Sequence, residues 1–328
     1  MRQVRRILYV RTDRIGDVLM NLPAIGVIRR NYPKVFLTLL VDRSVAGLLD
    51  HHPDLDEIMT IDVRQIAERA AARCRLLNKI RAARYDLAII SNPSKFFHWL
   101  SFACGIPLRV GWRRKWSFFL NRTLDDRKTK GLKHEIDANL SLVYLVCRER
   151  WDGTVRLVTD EKTTFKIRGL LDEARAGKQT IVIHTGTSNP EKRWPKENFI
   201  KLCRRIQERG AGFLTFIGAE EETAVAQEII SHLRYPALDL TGKTSLRELV
   251  ALFLDARVRA LVSSDSGPVH VAWMSGKPVA AFYASNVPGS DPARWGPRDQ
   301  KSEVIFKAMN EITAEEAFER LERVLAHG

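Results

Sequence analysis

Short apolar runs alternate with amphipathic helical patterns along the whole of this 328-residue chain. Residues 7–10 are four apolar positions in a row and predict a buried strand. After a polar turn at Gly16, residues 18–31 place apolar side chains at helical spacing. Strands that alternate with helices in this way predict a parallel sheet covered on both faces. The alternation therefore limits the chain to an α/β fold.

The same alternation occurs twice, which predicts two domains, and the length exceeds that of one ordinary domain. Because Asp152-Gly153 interrupts a helical pattern near the middle, we expect doubly wound, Rossmann-like domains over residues 1–155 and 156–328. The last helix could pack back on the first domain. The predicted strands are 7–10, 36–41, 57–61, 86–90, 108–111, 180–184, 213–217, 237–240, 260–263 and 278–283. The predicted helices are 18–31, 44–50, 63–84, 96–104, 135–150, 163–176, 195–209, 221–233, 245–255, 269–275 and 313–327.

Cysteine usage and hydropathy indicate the compartment. The four cysteines lie far apart and form no C-x-x-C pair, so no structural metal site is predicted and a reducing compartment is favoured. The apolar run at the basic N-terminus ends after four residues, too short for a signal peptide. No apolar run approaches the roughly 18 residues of a membrane span. We therefore expect a cytoplasmic protein.

The positive charge is concentrated in the first half of the chain. Residues 1–155 carry 28 Lys and Arg against 16 Asp and Glu, a net charge of +12, whereas residues 156–328 carry +2. This asymmetry indicates that the first half meets an anionic partner. Nucleic acid, an acidic membrane lipid and a phosphorylated acceptor all fit that description.

The stretch 109–133 combines nine basic and two acidic residues with two tryptophans and two phenylalanines. One interpretation is a solvated loop whose aromatic side chains pack on the domain. The other is a surface that contacts an anionic, partly lipidic partner, because aromatic and basic side chains both favour membrane interfaces. Single-stranded nucleic acid also suits such a stretch. No signature of a nucleic-acid-binding module accompanies it, so nucleic acid is the less favoured partner.

The loop after the first predicted strand carries Asp13, Arg14 and Asp17. In open α/β sheets the carboxyl ends of the strands face the ligand crevice, so these side chains should line one. The alternative for Asp17 is purely structural, because an aspartate at or near a helix N-cap satisfies backbone N–H groups.

Two loops in the second half are suited to phosphate binding. After strand 180–184, Thr187 and Ser188 offer hydroxyl groups and Lys192 offers a point charge. After strand 260–263, Ser266 and Gly267 would open a helix whose amides attract an anion. Beside them, Asp265 could equally be a plain N-cap and His270 a packed structural histidine.

A third loop, after strand 213–217, carries Glu220, Glu221 and Glu222. A carboxylate just beyond a strand end can accept hydrogen bonds from ribose hydroxyls. Three glutamates also favour a helix N-terminus electrostatically, which is the alternative. Together the three loops predict a binding site for a nucleotide diphosphate.

Three segments, in this order along the chain, resemble glycosyltransferase family 9, the ADP-heptose:lipopolysaccharide heptosyltransferases of Gram-negative bacteria. They are Arg11-Thr12-Asp13-Arg14-Ile15-Gly16-Asp17 with Pro23, Lys192-Arg193-Trp194-Pro195, and Asp265-Ser266-Gly267-Pro268-Val269-His270. The resemblance implies a GT-B fold, in which two Rossmann-like domains face each other across a cleft. It implies an acceptor bound by the first domain, an ADP-sugar bound by the second, and inverting transfer that requires no metal or other cofactor.

The resemblance also assigns roles to individual residues. Asp17 matches the catalytic aspartate of the family, and Lys192 matches the lysine on the donor phosphates. Glu222 matches the ribose carboxylate, although Glu220 or Glu221 could be that residue. The other donor-binding matches are Thr187, Ser188, Asp265, Ser266, Gly267 and His270. We expect the acceptor to be contacted by Asp13, Arg14, Arg113, Arg114, Lys115 and Lys133.

The function implied is inverting transfer of a heptose from ADP-heptose to the inner core of lipopolysaccharide, by one in-line displacement with Asp17 as general base. Asp13 is the rival base. An anionic acceptor on the cytoplasmic face of the inner membrane would explain the basic first half, and the protein would be peripheral there. The segment from Ala284 to Pro292 is longer than the family pattern and should border the base or the sugar, so it leaves the identity of the donor open. The alternative function is that of a family 9 transferase with another nucleotide-sugar or a protein acceptor. A non-catalytic protein that binds an anionic polymer such as nucleic acid is a further alternative, which three phosphate-binding loops disfavour.

Overall fold

The computed structural model describes residues 4–126, 133–174 and 179–327. These residues form two compact units, which meet in sequence between Arg156 and Leu157. Each unit is an α/β domain built on a six-stranded sheet.

The first unit contains strands β1 (Arg6–Val10), β2 (Phe36–Asp42), β3 (Glu57–Ile61), β4 (Leu87–Ile90), β5 (Leu108–Arg113) and β6 (Arg122–Asp125). Its helices are α1 (Ile15–Leu19), α2 (Leu22–Asn31), α3 (Val63–Glu68), α4 (Ala70–Ala83), α5 (Lys95–Ala103) and α6 (Glu135–Val143). The second unit contains strands β7 (Thr180–His184), β8 (Phe213–Ile217), β9 (Leu238–Asp239), β10 (Val258–Ser264), β11 (Val279–Ala284) and β12 (Glu303–Lys307). Its helices are α7 (Glu161–Glu173), α8 (Lys196–Glu208), α9 (Thr223–Ser231), α10 (Leu246–Leu254), α11 (Gly267–Met274), α12 (Pro292–Trp295) and α13 (Ala314–Ala326).

Both sheets are parallel and have the same strand order. The first sheet runs β3-β2-β1-β4-β5-β6, and the second runs β12-β11-β10-β7-β8-β9. When strands are counted within each unit, and the second sheet is read from β9, both orders are 3-2-1-4-5-6. The order reverses between β1 and β4 in the first sheet and between β7 and β10 in the second. In doubly wound sheets the ligand site lies outside the carboxyl ends of the strands at this switch point. The predicted doubly wound, Rossmann-like fold of each half is therefore confirmed.

All ten predicted strands are present, but β6 and β12 were not predicted. Both pair on one side only, at the edge of their sheet. The short β6 has the sequence RTLD, none of whose side chains is buried, and in β12 only Ile305 is buried. An edge strand with so little buried surface leaves a weak apolar pattern, which explains why the sequence did not reveal it.

Two predicted helices are interrupted, one is replaced by a 3-10 turn, and the helix predicted over 135–150 ends at Val143. The helix predicted over 18–31 is divided between α1 and α2, because Pro23 has no N–H to continue the helix and stands in the first turn of α2. The helix predicted over 63–84 breaks at Arg69, whose backbone is extended. In place of helix 44–50 there is a single 3-10 turn, Ala46–Leu48.

The last helix belongs to the core of the second unit. Its buried side chains, Ala317, Phe318, Leu321 and Val324, pack in one cluster with residues of β10, β11 and α8. The buried face of α13 therefore packs within its own domain, whereas the sequence alone also allowed this helix to pack on the first domain. None of the helices described in this structure is both long and apolar enough to cross a bilayer.

We expect the fully buried His98, on α5, to make the first unit sensitive to acid. Among the described residues, neither ring nitrogen of His98 has a hydrogen-bond partner. Burial lowers the pKa of His98 from 6.5 to about 4, and the charge of Lys115 acts in the same direction. Between pH 6.5 and pH 4 the unfolded chain therefore binds a proton that the folded chain rejects, and stability falls as the pH falls through this window.

Between pH 7 and pH 4.5, the free energy of unfolding should decrease by about 2 kcal/mol less in a His98→Leu variant than in the parent protein. The comparison uses urea unfolding of both proteins at the two pH values, followed by fluorescence and circular dichroism. If parent and variant lost equal stability between the two pH values, His98 would not be the acid-sensitive group.

Candidate active site

Arg11 is the centre of a buried polar cluster at the carboxyl end of the first sheet. It follows β1 directly, and its guanidinium contacts the carboxylate of Asp17. The carboxylates of Asp13 and Glu135 lie 3.1 Å and 3.7 Å away. Burial by itself would lower the pKa of Arg11, but these three carboxylates raise it above its ordinary value. Arg11 is therefore a permanent cation that holds together carboxylates from the loop after β1, from α1 and from α6.

Asp17 lies inside α1 and is not its cap. Arg14 occupies the N-cap position, without a side-chain capping hydrogen bond, and Asp17 is the third residue of the helix. Its carboxylate accepts a hydrogen bond from Arg11 and remains partly accessible to solvent. The interpretation of Asp17 as a helix cap is therefore wrong. Its carboxylate is oriented by a buried cation and can still be reached from outside.

Buried polar groups fix the position of α1 behind this cluster. The hydroxyls of Tyr9 and Ser91 donate to Oδ1 of Asn21 at 2.5 Å and 2.6 Å. The Nδ2 of Asn21 donates in turn to the carbonyl of Asp17 at 2.7 Å. Nη1 of Arg11 lies 3.2 Å from the Ser91 hydroxyl. Because Ser91 follows β4, the network joins the two strands at the switch point.

Sequence reasoning assigned no role to Arg11, Glu135, Ser91 or Asn21. Glu135 was visible as a carboxylate at the start of a predicted helix, and it is 1% exposed in the structure. Ser91 was visible as the polar residue directly after an apolar strand. Neither signal indicates that the side chain meets Arg11, which is far away in the chain.

Five of the six predicted acceptor-binding residues lie at the carboxyl ends of strands in the same sheet. Asp13 and Arg14 follow β1, and Arg113 ends β5. Arg114 and Lys115 follow directly, and Lys115 Nζ donates to the carbonyl of Pro93 at 2.9 Å. Two of the three cations also have carboxylate partners, since Arg113 pairs with Asp125 at 3.3 Å and Arg114 with Asp126 at 3.1 Å. The exposed Lys133 is described, whereas residues 127–132 of the predicted basic stretch lie outside the described residues.

In the second unit, Lys192 and Asp265 form an ion pair at the switch point. Lys192 ends a 3-10 turn, Pro190–Lys192, which the side chain of Asn189 caps. Its Nζ lies 2.7 Å from Oδ2 of Asp265, which also accepts a hydrogen bond from Ser290 at 3.0 Å. The turn is anchored by the buried Trp194, whose Nε1 donates to the carbonyl of Ile312.

Ser290 lies in the segment that the sequence marked as longer than the family pattern. Besides contacting Asp265, its hydroxyl accepts the backbone N–H of Ala284 at 3.2 Å. The segment is therefore tied both to the end of β11 and to the Lys192–Asp265 pair. Thr187 lies on the other side of this pair, with its hydroxyl 3.5 Å from the carbonyl of Asp265.

Glu222 and Ser266 are joined through His184, the last residue of β7. Nε2 of His184 lies 3.3 Å from Oε2 of Glu222, and Nδ1 lies 3.2 Å from the Ser266 hydroxyl. A carboxylate can only accept, so His184 donates from Nε2 to Glu222. The neighbouring Ser263 hydroxyl lies 3.0 Å from the same Nδ1 and donates to the carbonyl of Ser264.

The carboxylate of Glu222 occupies a space made by two glycines. A Cβ on Gly186, after β7, or on Gly218, after β8, would collide with this carboxylate. Burial would raise the pKa of Glu222, but hydrogen bonds from His184 and from the Ala219 backbone hold it below its usual range. Glu222 is therefore ionised at neutral pH. Of the three adjacent glutamates, this is the one whose carboxylate lies against the carboxyl ends of β7 and β8.

The remaining predicted donor residues lie in the same region. Ser266 is the N-cap of α11, but its hydroxyl contacts His184 and Ser263 and makes no capping hydrogen bond. Gly267 is the first residue of α11, and the buried His270 lies one turn further, with its ring 6.4 Å from the ring of Trp295. Ser188 is exposed on the loop after β7. In the described ranges no group of His, Cys, Asp and Glu side chains is arranged to hold a metal ion.

Comparison with known proteins identifies the family. The model of glycosyltransferase family 9 (heptosyltransferase) matches residues 73–323. The chain belongs to glycosyltransferase family 9. It is therefore a glycosyltransferase, and its predicted resemblance to this family is confirmed.

The chain resembles family 9 proteins over nearly its full length. It is 24% identical over 314 residues to lipopolysaccharide heptosyltransferase 2 of Escherichia coli, covering 92% of this chain and 87% of that protein. Its fold resembles that of a family 9 glycosyltransferase from Veillonella parvula with a TM-score of 0.89, at 21% identity, over 99% of this chain and 98% of the other. It also resembles the Escherichia coli heptosyltransferase WaaC, solved with ADP-2-deoxy-2-fluoro heptose, with a TM-score of 0.74, at 19% identity, over 97% and 99% of the two chains. These likenesses confirm the GT-B fold class.

Proposed function

We propose that this glycosyltransferase moves a heptose from ADP-heptose to the inner core of lipopolysaccharide at the cytoplasmic surface of the inner membrane. The observation that carries the proposal is the cluster at the switch point of the second sheet. It presents the Lys192 ammonium and the ionised Glu222 carboxylate at the carboxyl ends of the strands of one sheet. A cation suits the diphosphate of a nucleotide-sugar, and a carboxylate suits its ribose. Relatives that are named lipopolysaccharide heptosyltransferases support the choice of sugar and acceptor.

On the donor side, Lys192 would neutralise charge on the diphosphate as the bond to the anomeric carbon breaks. The first N–H groups of α11, beside Ser266 and Gly267, would bind the same group. Lys192 pairs with Asp265, and this contact would hold the ammonium in position for the nucleotide. These groups would stabilise the leaving group without a metal ion, and we expect transfer to be insensitive to EDTA.

On the acceptor side, Asp17 would accept the proton of the attacking hydroxyl, which displaces ADP with inversion at the anomeric carbon. The support is its orientation by Arg11 together with its partial exposure. Asp13 shares the contact with Arg11 and is the alternative base. The cations Arg14, Arg113, Arg114, Lys115 and Lys133 would contact carboxylates and phosphates of the acceptor.

The direct test is transfer from ADP-heptose to a lipopolysaccharide acceptor that lacks heptose, with the anomeric configuration of the product determined by NMR. We expect product from ADP-heptose and none from UDP- or GDP-sugars. Transfer only from a UDP- or GDP-sugar would keep the glycosyltransferase and overturn the donor. Transfer to a protein and to no saccharide would overturn the acceptor.

The role of Glu222 can be tested by substituting a neighbouring glycine, which leaves the glutamate itself in the chain. In a Gly186→Ala variant the new Cβ would displace the Glu222 side chain. We expect affinity for ADP to fall about tenfold or more, the value of one charge-assisted hydrogen bond, and affinity for 2′-deoxy-ADP to fall less. Isothermal titration with both nucleotides measures the two losses. Gly169→Ala, where an added Cβ meets no atom within 4 Å, is the matched control. An equal loss for both nucleotides would show that Glu222 does not contact the ribose.

A further inference from the structure

Four aromatic side chains of the first unit form one contiguous group, which we call the aromatic cluster: Phe102, Trp116, Phe118 and Phe119. Phe119 is central, with ring centroids 5.2 Å from Phe102, 6.1 Å from Trp116 and 4.4 Å from Phe118. The other three are large apolar side chains that face solvent, with exposed fractions of 52%, 44% and 75% in chain order. Exposed apolar side chains that gather around one ring in this way are typical of an interaction surface.

Basic side chains surround the aromatic cluster. Nζ of Lys95 lies 5.7 Å from the ring centroid of Trp116, and the guanidinium of Arg109 lies 5.4 Å from that of Phe102. Three more cations directly precede Trp116 in the chain, namely Arg113, Arg114 and Lys115. Two of these five cations pair with carboxylates, Arg113 with Asp125 and Arg114 with Asp126. The surface is therefore apolar at its centre and positively charged around it.

We propose that the aromatic cluster and its basic surroundings dock this enzyme on an anionic lipid bilayer. Aromatic rings favour the boundary between headgroups and acyl chains, and basic side chains bind the negative surface of an anionic leaflet. The exposed rings would enter the boundary while Lys95 and Arg109 contact headgroup phosphates. Docking of this kind deepens the proposed function, on which it rests, because the acceptor of that reaction is anchored in a membrane.

The arrangement of the rings favours a bilayer over single-stranded nucleic acid. A platform that binds bases presents separate ring faces to successive bases. Here the three exposed rings all pack against Phe119 and form one apolar surface, so they do not present separate faces to successive bases. Their closeness suits insertion into a continuous apolar phase.

The test is sedimentation of the full-length protein with phosphatidylcholine vesicles that contain or lack phosphatidylglycerol. We expect binding to the anionic vesicles only. The double variant Trp116→Ser/Phe118→Ser should bind them about tenfold or more weakly, and Lys95→Ala about fivefold more weakly. The matched controls lie on α7 of the second unit. They are Phe165→Ser, whose side chain is 80% exposed, and Lys162→Ala, and they should bind as the parent does.

Each other result overturns the docking surface. Parent protein that does not sediment with anionic vesicles would show that no such surface exists. An equal loss in the α7 controls, or none in the Trp116→Ser/Phe118→Ser variant, would assign binding to another face. A short single-stranded DNA that binds the parent more tightly than the vesicles, and the double variant weakly, would identify the cluster as a stacking surface.

A second measurement separates failure of docking from failure of the proposed function. The Trp116→Ser/Phe118→Ser variant should transfer heptose normally to a lipid-free core saccharide and poorly to an acceptor embedded in vesicles. If the parent bound vesicles but transferred heptose to neither acceptor, the proposed function would fail while the docking surface stood. Equal activity of parent and variant on the embedded acceptor would overturn the role of docking in catalysis.

Discussion

An Asp17→Asn variant should lose transfer almost completely, with kcat lowered about 10²- to 10⁴-fold, the usual contribution of a general base. Asparagine keeps the shape of the side chain and can still contact Arg11, but it cannot accept the proton of the attacking hydroxyl. Because the donor site is formed by other residues, affinity for ADP should remain at the parental value. The measurements are steady-state transfer and titration with ADP.

Asp13→Asn is the matched control for this effect. Both carboxylates contact the same guanidinium, so each variant removes one negative charge from Arg11. We expect Asp13→Asn to lower kcat much less, and both variants to unfold at similar temperatures because Glu135 still pairs with Arg11. If Asp13→Asn abolished turnover while Asp17→Asn retained it, the base would be Asp13. If both lost activity together with stability, the carboxylates would serve the fold.

A Lys192→Ala variant should bind ADP about 10- to 100-fold more weakly and turn over about 10²- to 10³-fold more slowly. The lost ammonium would otherwise balance charge that grows on the departing diphosphate, so the effect on the transition state should exceed that on binding. Lys196→Ala is a matched control four residues further along. Lys196 pairs with Glu228 at 2.6 Å on the exposed side of α8 and should be replaceable without loss.

The ion pair between Lys192 and Asp265 leads to a further prediction about nucleotide binding. In Lys192→Ala, the Asp265 carboxylate is left without its ammonium and faces the incoming diphosphate. The double variant Lys192→Ala/Asp265→Asn should therefore bind ADP more tightly than Lys192→Ala alone. Titration of the three proteins gives the answer. Binding that is weaker still in the double variant would mean that Asp265 contacts the nucleotide directly and not only through Lys192.

The fold was predictable from the sequence because strand and helix signals are local. A buried parallel strand such as β7 is a continuous apolar run, and α8 repeats apolar side chains every three or four residues. The loops after β7 and β10 were found for the same reason, since each begins where an apolar run stops. Where the local signal was weak, as in β6, prediction failed.

The chemistry of the individual loops followed from residue type and order. Lys192 and Glu222 were singled out because a lysine and a glutamate just beyond strand ends suit a diphosphate and a ribose. The order of the three motifs along the chain indicated family 9, and the family match over residues 73–323 confirms it. No tertiary information was needed for these inferences.

The contacts that turn those loops into sites depend on strand order, which only the tertiary structure decided. Arg11 meets Ser91 across 80 residues because β1 and β4 are neighbours, and His184 meets Ser263 across 79 residues because β7 and β10 are neighbours. The aromatic cluster likewise joins Phe102 of α5 to rings that follow β5. Periodicity fixes which face of each element is buried, whereas pairing of distant elements is decided by packing the whole sheet. The sequence therefore determined what each loop carries, and the tertiary structure determined which side chains meet.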